Sequence, residues 1–275
     1  MNSSRRVARP VLAAATALVG ACAAALLTAP AATAEAYGGA ARSVVTSEQD
    51  CFEFGESQGV PTSTLPAALF ERFTPVLVPT NPTRTLLYLV DYVCDETSVG
   101  PGSATWPRAS LTTIGIVQVL DRATGTRGAY MLWHGTTNPQ LASVLTRLGA
   151  PTTVLQDADA TVTDLGGGRS RVTYRVGDSA VAHSREATAV EPATEPVTTS
   201  PAGSFRYAVA GDKGLVQVAF DNSLRPTSTA SSVVTVPPDS GLAPYFAHLA
   251  QPVVLTRPSA SFTRGSWTGT YTLVP

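Results

Sequence analysis

The sequence predicts a mainly β fold: an antiparallel barrel or double barrel with one or two helices, spanning residues 35–275 as a single domain. Three observations predict it. Runs rich in β-branched and aromatic residues recur at short, even spacing from residue 84 onward, the pattern of sandwiches and barrels. A single segment carries complete helix punctuation. No internal repeat interrupts the pattern.

Residues 1–34 read as a secretory signal peptide. Arg5, Arg6 and Arg9 form a charged start, a small-residue apolar run follows, and Ala32-Thr33-Ala34 and Ala34-Glu35-Ala36 both fit an A-x-A cleavage site. The expected location is therefore extracellular, with no membrane contact once the signal is removed. Without those three arginines the 19 basic residues fall to 16 against 20 acidic ones, a net charge of −4. No basic patch stands out, which argues against nucleic acid as a partner. Cys51 and Cys94 are the cysteines past the signal. An even pair in an exported chain points to a disulfide, with two separate buried thiols as the alternative. The bond would close a loop of about 44 residues and contribute roughly 4 kcal/mol on a chain-entropy basis.

Residues 37–50 read as a mobile lead-in. Residues 84–95, RTLLYLVDYVCD, read as a strand with Leu87, Leu89, Asp91 and Val93 on one face and Tyr88, Val90, Tyr92 and Cys94 on the other. SLTTIGIVQVL and GAYMLWH flank DRATGTR as a hairpin. Then comes the helix. Asn138 caps it, Pro139 suits its first position, Gly149 suits the residue past its end, and Leu141, Val144, Leu145 and Leu148 give it an apolar face. Beyond it, DATVTDL, SRVTYRVG, SAVAHSREATAV, SFRYAVAG, GLVQVAFDN, SSVVTVP, PVVLT and SWTGTYTLV read as strands. A short helix lies around GLAPYFAHLA, and EPATEPVTTSPAG is a connection.

Several constellations bear on chemistry. Gly55-Glu56-Ser57-Gln58-Gly59 matches G-x-S-x-G, but VPTSTLP cannot continue as the helix a nucleophile elbow requires, so Ser57 reads as a loop serine. His134, His183 and His248 lack the close pairing of a zinc site, and Asp157, Asp159 and Asp164 lack calcium-loop spacing, so no metal is expected. His134 ends a strand before the helix, at a cavity mouth or as a surface or capping residue. His183 and Arg185 share one face of a strand, read as solvated polarity. Asp91, an acid among leucines and valines, is either a ligand or base with a raised pKa or a salt-bridged aspartate.

Residues 61–155 resemble the acetoacetate-decarboxylase-like superfamily. The likeness rests on TLPAALF at 64–70, LTTIG at 111–115 and NPQLASVLTRLGAPTT at 138–153, with Gly115, Asn138, Gly149 and Pro151 as its firm matches. The resemblance places the family's Schiff-base lysine at Thr152, the neighbouring lysine at Thr153, the catalytic glutamate at Thr113, and a Gly-Arg-Glu at Val144-Leu145-Thr146. None of the required groups is present. Threonine cannot form an imine, and Lys213, the chain's one lysine, sits in a glycine-flanked hairpin tip. The resemblance implies a barrel around a small-molecule cavity, with Thr113, Thr152, Asp91, His134, Tyr88 and Tyr92 as its candidate lining and no cofactor. The expected function is therefore an exported small-molecule-binding protein or pseudoenzyme without Schiff-base decarboxylation. The alternatives are a lyase or cyclase using Asp91, His134 or a tyrosine, and a structural or surface-interaction β protein.

Overall fold

The structure is a computed structural model; it describes residues 43–100, 106, 109–190, 198–211, 214–225 and 230–274. The proposed signal peptide, the 191–197 part of the Pro/Thr-rich connection, and Asp212 and Lys213 lie outside the described residues.

Seven strands form a ring of backbone pairings. They are β1 (Ser43–Pro61), β4 (Asn81–Cys94), β6 (Ser110–Asp121), β7 (Arg127–Thr136), β12 (Thr198–Gly211), β13 (Gly214–Arg225) and β15 (Val253–Val274). Each pairs with the next in that order, and β15 pairs back to β1, so the path returns to its start. Short strands extend the rim: β2 (Phe73–Pro75) on β6, β3 (Leu77–Val78) on β4, β5 (Glu96–Val99) on β1, and β8 (Thr153–Val154) on β7. A second layer consists of β9 (Ala158–Gly166), β10 (Arg169–Val176), β11 (His183–Val190) and β14 (Ala230–Val236), and it joins the first half of β15. The pairings are antiparallel except β7 with β12 and β7 with β8, which are parallel, so the sheet is mixed rather than purely antiparallel.

Two cores result. One lies inside the ring, where Cys51, Val90, Tyr92, Ile114, Met131, Val216, Val218, Trp267 and Tyr271 converge from six of the ring strands. Helix α2 (Pro139–Leu148) packs Leu141, Leu145 and Leu148 into it; burial of each is worth roughly 2 kcal/mol. The helix starts and stops where its sequence dictates. The Asn138 side chain accepts from the Gln140 and Leu141 N–H groups at 3.0 and 3.1 Å, and Gly149 takes a left-handed φ of 115°. The other core separates the ring from the second layer and includes Phe54, Leu87, Leu89, Val172, Tyr174, Ala187, Val234 and Leu255. The two faces assigned to β4 from sequence are thus the two cores. Cys51 and Cys94 are bonded to each other.

Three elements differ from expectation. TLPAALF contains a short helix, α1 (Ala67–Arg72), whose Arg72 clamps Asp121 at 2.8 Å. PVVLT and SWTGTYTLV are one continuous strand, β15. Most telling is β1. Residues 43–50 of the expected mobile lead-in, whose first six residues lie outside the described ones, and the loop serine Ser57 lie within a 19-residue strand. Its glycines and acids carry little strand propensity. Its ladder partners on both sides, β4 and β15, supply what propensity lacks.

Candidate functional site

The wall formed by β1, β4, β6 and β7 carries two rows of side chains in cross-strand register. Phe54, Asp91, Thr113 and Gly135 face the second layer; Glu53, Tyr92, Thr112 and Thr136 face the ring interior. Because strand side chains alternate, each row belongs to one core and cannot meet the other.

The outer row meets a buried charge cluster. On β11, His183, Arg185, Ala187 and Ala189 are the inward residues, so two polar side chains are carried beneath the ring along with two alanines. His183 Nε2 lies 2.9 Å from Asp91 Oδ1, and its Nδ1 lies 2.7 Å from the Val181 carbonyl. Arg185 donates from Nε to Asp91 Oδ2 at 2.8 Å, from Nη1 to Ser232 Oγ at 3.3 Å and from Nη2 to the Leu89 carbonyl at 3.2 Å. It also pairs with Glu56 at 3.5 Å. Burial alone would push the Asp91 carboxyl up. The charges of His183 and Arg185, and their hydrogen bonds, outweigh it and hold Asp91 well below the usual carboxylate range. Asp91 is therefore the salt-bridged aspartate, not a base with a raised pKa. The solvated reading of His183 and Arg185 is corrected as well: both are buried, and Asp91 lies 92 and 94 residues away in sequence. Beside this cluster Thr113 Oγ1 and Glu56 Oε2 are buried without a hydrogen bond, and Glu56 Oε1 has the ion pair with Arg185 but no hydrogen bond.

The inner row has a different chemistry. Glu48 is buried against the indole N–H of Trp267, which donates to its Oε2. Burial pushes the Glu48 carboxyl up to about 7, against the lowering effect of hydrogen bonds from Trp267 and Tyr92, and Glu53 adds to the rise. Burial likewise pushes Glu53 up to about 7. Thr112 donates to Thr136 Oγ1 at 3.1 Å. His134, two residues before Thr136 on the same face of β7, is buried with neither ring nitrogen hydrogen-bonded, and burial lowers its pKa to about 4. Glu48 lies within 4.8 Å of both cysteine sulfurs, which bond each other.

A pH signature follows from these opposite shifts. The Glu48 pKa is raised on folding, so its contribution is fully present below 4.5 and is lost as pH rises through about 7. For this fully buried group the loss amounts to about 3 kcal/mol. The Asp91 pKa is lowered, so its contribution is present above 3.8 and is lost on acidification. Urea unfolding at a series of pH values should show maximal stability in mild acid and a fall toward neutrality. Stability that is flat or rising between 4.5 and 7 would contradict the burial of Glu48.

The candidate residues thus divide. Asp91 and Thr113 lie on the outer face, while Tyr92, His134 and Tyr88, whose hydroxyl takes a 3.3 Å bond from Gln118, lie on the inner one. Thr152 is half-buried on the approach to β8, its hydroxyl donating to the Ala150 carbonyl at 3.2 Å. Thr153, not Thr152, pairs with Gly135 and so falls in line with Thr113. A Cβ on Gly135 would meet Thr113 Cγ2 and the Leu155 side chain, so Leu155 and, by alternation, Thr153 take that face. Glu48, Glu53, Glu56, His183 and Arg185 escaped sequence reasoning as site residues. The period-2 spacing of His183 and Arg185 was the one available signal.

No protein-family profile and no curated protein matches the chain. Among solved structures it is similar to an acetoacetate decarboxylase, at 10% identity and TM-score 0.47 over 83% of this chain and 86% of that one. It is similar to the enduracididine biosynthesis enzyme MppR, at 13% identity and TM-score 0.46 over 85% and 86%. It is also similar to the acetoacetate decarboxylase of Legionella pneumophila, at 11% identity and TM-score 0.42 over 90% and 91%. Two of these three structures are named as acetoacetate decarboxylases.

Proposed function

We propose that the protein is an exported small-molecule-binding barrel without Schiff-base chemistry, and that its ligand seats on the outer face of the ring wall beside Thr113 and Glu56. The observation that carries this reading is a pair of buried acceptors without partners, Thr113 Oγ1 and Glu56 Oε2, beside a Glu56 Oε1 that has only the 3.5 Å ion pair with Arg185. A buried acceptor left unpaired costs about 1–3 kcal/mol, and more when it is charged. A small molecule rich in hydrogen-bond donors relieves that cost. Acid–base catalysis at this face is disfavoured because both Asp91 oxygens are already engaged. Imine chemistry is disfavoured because the chain has one lysine, Lys213, and the wall positions where the resemblance expects lysine carry threonine. The charged start, the apolar run and the A-x-A sites support export, as does the disulfide, which persists in oxidising compartments.

Thr113→Val tests the seat. It removes an unsatisfied hydroxyl at nearly constant volume, so the ligand-free protein should gain about 1 kcal/mol in urea unfolding. In a thermal-shift panel of small amines, amides and polyols, the compounds that stabilise the wild type should lose their effect on the variant. A destabilised variant that keeps the same shifts would refute the seat. Incubation of the wild type with acetoacetate and borohydride should leave its mass unchanged; a reduced adduct would refute the absence of imine chemistry.

A further inference from the structure

The segment TLPAALFERFTPVLVP at residues 64–79 runs along the rim of the ring through α1, β2 and β3. It is mostly apolar, yet it has little interior to fill. α1 has six residues and buries one of them, Leu69. Neighbouring helix residues point about 100° apart, so Phe70 turns away from that contact and is 40% exposed. β2 buries Phe73 and Pro75 on one face. β3 is two residues long, and its Leu77 is 43% exposed. Phe70 and Leu77 line one groove of about 330 Å³, together with Phe73, Pro75, Pro82 and Arg122. Leu120, also exposed, pairs with Thr74 of the same lining. Exposed apolar side chains scattered singly mean little, but gathered around a concave surface they mark a place where something binds.

The groove has one charge. Arg122 follows β6, and the end of α1 fixes its guanidinium. Its Nε donates to the Arg72 carbonyl at 3.2 Å, and its Nη2 donates to the Phe70 carbonyl. The Arg122 backbone N–H also donates to the Arg72 carbonyl, at 3.1 Å. These are carbonyls that a helix leaves unpaired at its C-terminal end. Among the described residues Nη1 has no acceptor, and no carboxylate forms an ion pair with Arg122. Arg72 is already committed to Asp121 at 2.8 Å, which neutralises the carboxylate next to Arg122 in sequence. None of the residues lining the groove is acidic. The result is a guanidinium held in place beside an apolar groove with a donor edge unused.

We propose that this groove binds an amphiphilic monocarboxylate, a short alkyl chain that ends in a carboxyl group. The chain lies against Phe70, Leu77 and Pro82, and the carboxylate accepts from Nη1 of Arg122. Charge complementarity selects this occupant. An apolar surface alone accepts any apolar segment, but a positioned guanidinium without a counter-ion favours a carboxylate, whose two oxygens match its donors. The volume suits a ligand of that size, since small-molecule sites begin at roughly 300 Å³. The groove is separate from the outer-face seat, because neither Glu56 nor Thr113 lines it.

The test is isothermal titration of the full chain with octanoate, octanol and octylamine, probes of one chain length and different charge, used below micelle-forming concentrations. Octanoate should bind saturably at millimolar concentration or below, roughly fivefold or more tighter than octanol, with octylamine weakest. Arg122→Gln should bring octanoate down to the affinity of octanol. Arg122→Lys, which keeps the charge and loses the fork, should retain part of the preference. Arg122 also steadies α1, so a further variant leaves it in place. Leu77→Glu alters a side chain that is already exposed; the protein should fold normally and lose octanoate binding through like-charge repulsion. Equal binding of octanoate and octanol by the wild type, octanoate binding unchanged in Arg122→Gln or Leu77→Glu, or no saturable octanoate binding would each overturn the proposal. A wild-type dimer that Leu77→Glu dissociates and octanoate leaves intact would overturn it too, since a second copy of the chain would then be the occupant.

Discussion

Replacing Arg185 with methionine should lower the unfolding free energy by about 3–5 kcal/mol, the usual cost of stranding a buried charge. Arg185 is fully buried and is the one residue that touches Asp91, Glu56, Ser232 and the Leu89 carbonyl together. Removing it leaves Asp91 with His183 alone and Glu56 with no described cation. The mutant protein should lose its resistance to urea most at neutral pH, where the Asp91 carboxylate would remain buried without its guanidinium partner. A companion variant separates charge from packing. Replacing Asp91, Glu56 and Arg185 together with apolar residues of similar size should recover most of the loss, because a complete buried cluster is often no more stabilising than its hydrophobic substitute. If the single substitution costs less than about 1 kcal/mol, the cluster is not desolvated and the assignment of the outer face fails.

The second large effect is expected at the disulfide. Cys51→Ala with Cys94→Ala should cost about 4 kcal/mol, since the bond closes a sequence separation of 43 residues. The loss should be matched when the wild type is unfolded in the presence of a reducing dithiol. Both sulfurs sit in the ring core, so the reduced protein should resist alkylation until it unfolds. Rapid labelling of the native oxidised protein without reductant would show the bond is not formed.

Local signals were legible where local physics decides. The cap at Asn138, the left-handed Gly149 and the two faces of β4 were all readable, because each depends on residues within a turn or a strand of itself. The strand β1 was not. Glu48, Gly55, Glu56 and Gly59 look like loop residues, and only the pairing with β4 and β15, tens to hundreds of residues away, turns them into a ladder. His183 and Arg185 show the same limit in the candidate site. A polar residue at every second position reads identically whether that face meets water or a buried aspartate. The alternation of β4 puts Asp91 on the correct face, but nothing local links it to a strand 92 residues later. Thr113 and Thr152 were placed by resemblance alone. The ladder gives Thr113 a fully buried position and hands the neighbouring one on β8 to Thr153.

The last strand has a consequence for the order in which the molecule can form. β15 spans Val253–Val274 without a break. Its first half borders the second layer through β14, and its second half lies between β13 and β1. Ser43 pairs with Thr272, so closing the circle joins the two ends of the described chain. Contacts of such long sequence separation form slowly, and none of them exists until β15 itself has been made. Until then β1 has one neighbour instead of two, and the second layer lacks the strand that attaches it to the ring. The ring thus cannot close before β15 is made, and β1 and β13 each keep an open edge until it arrives.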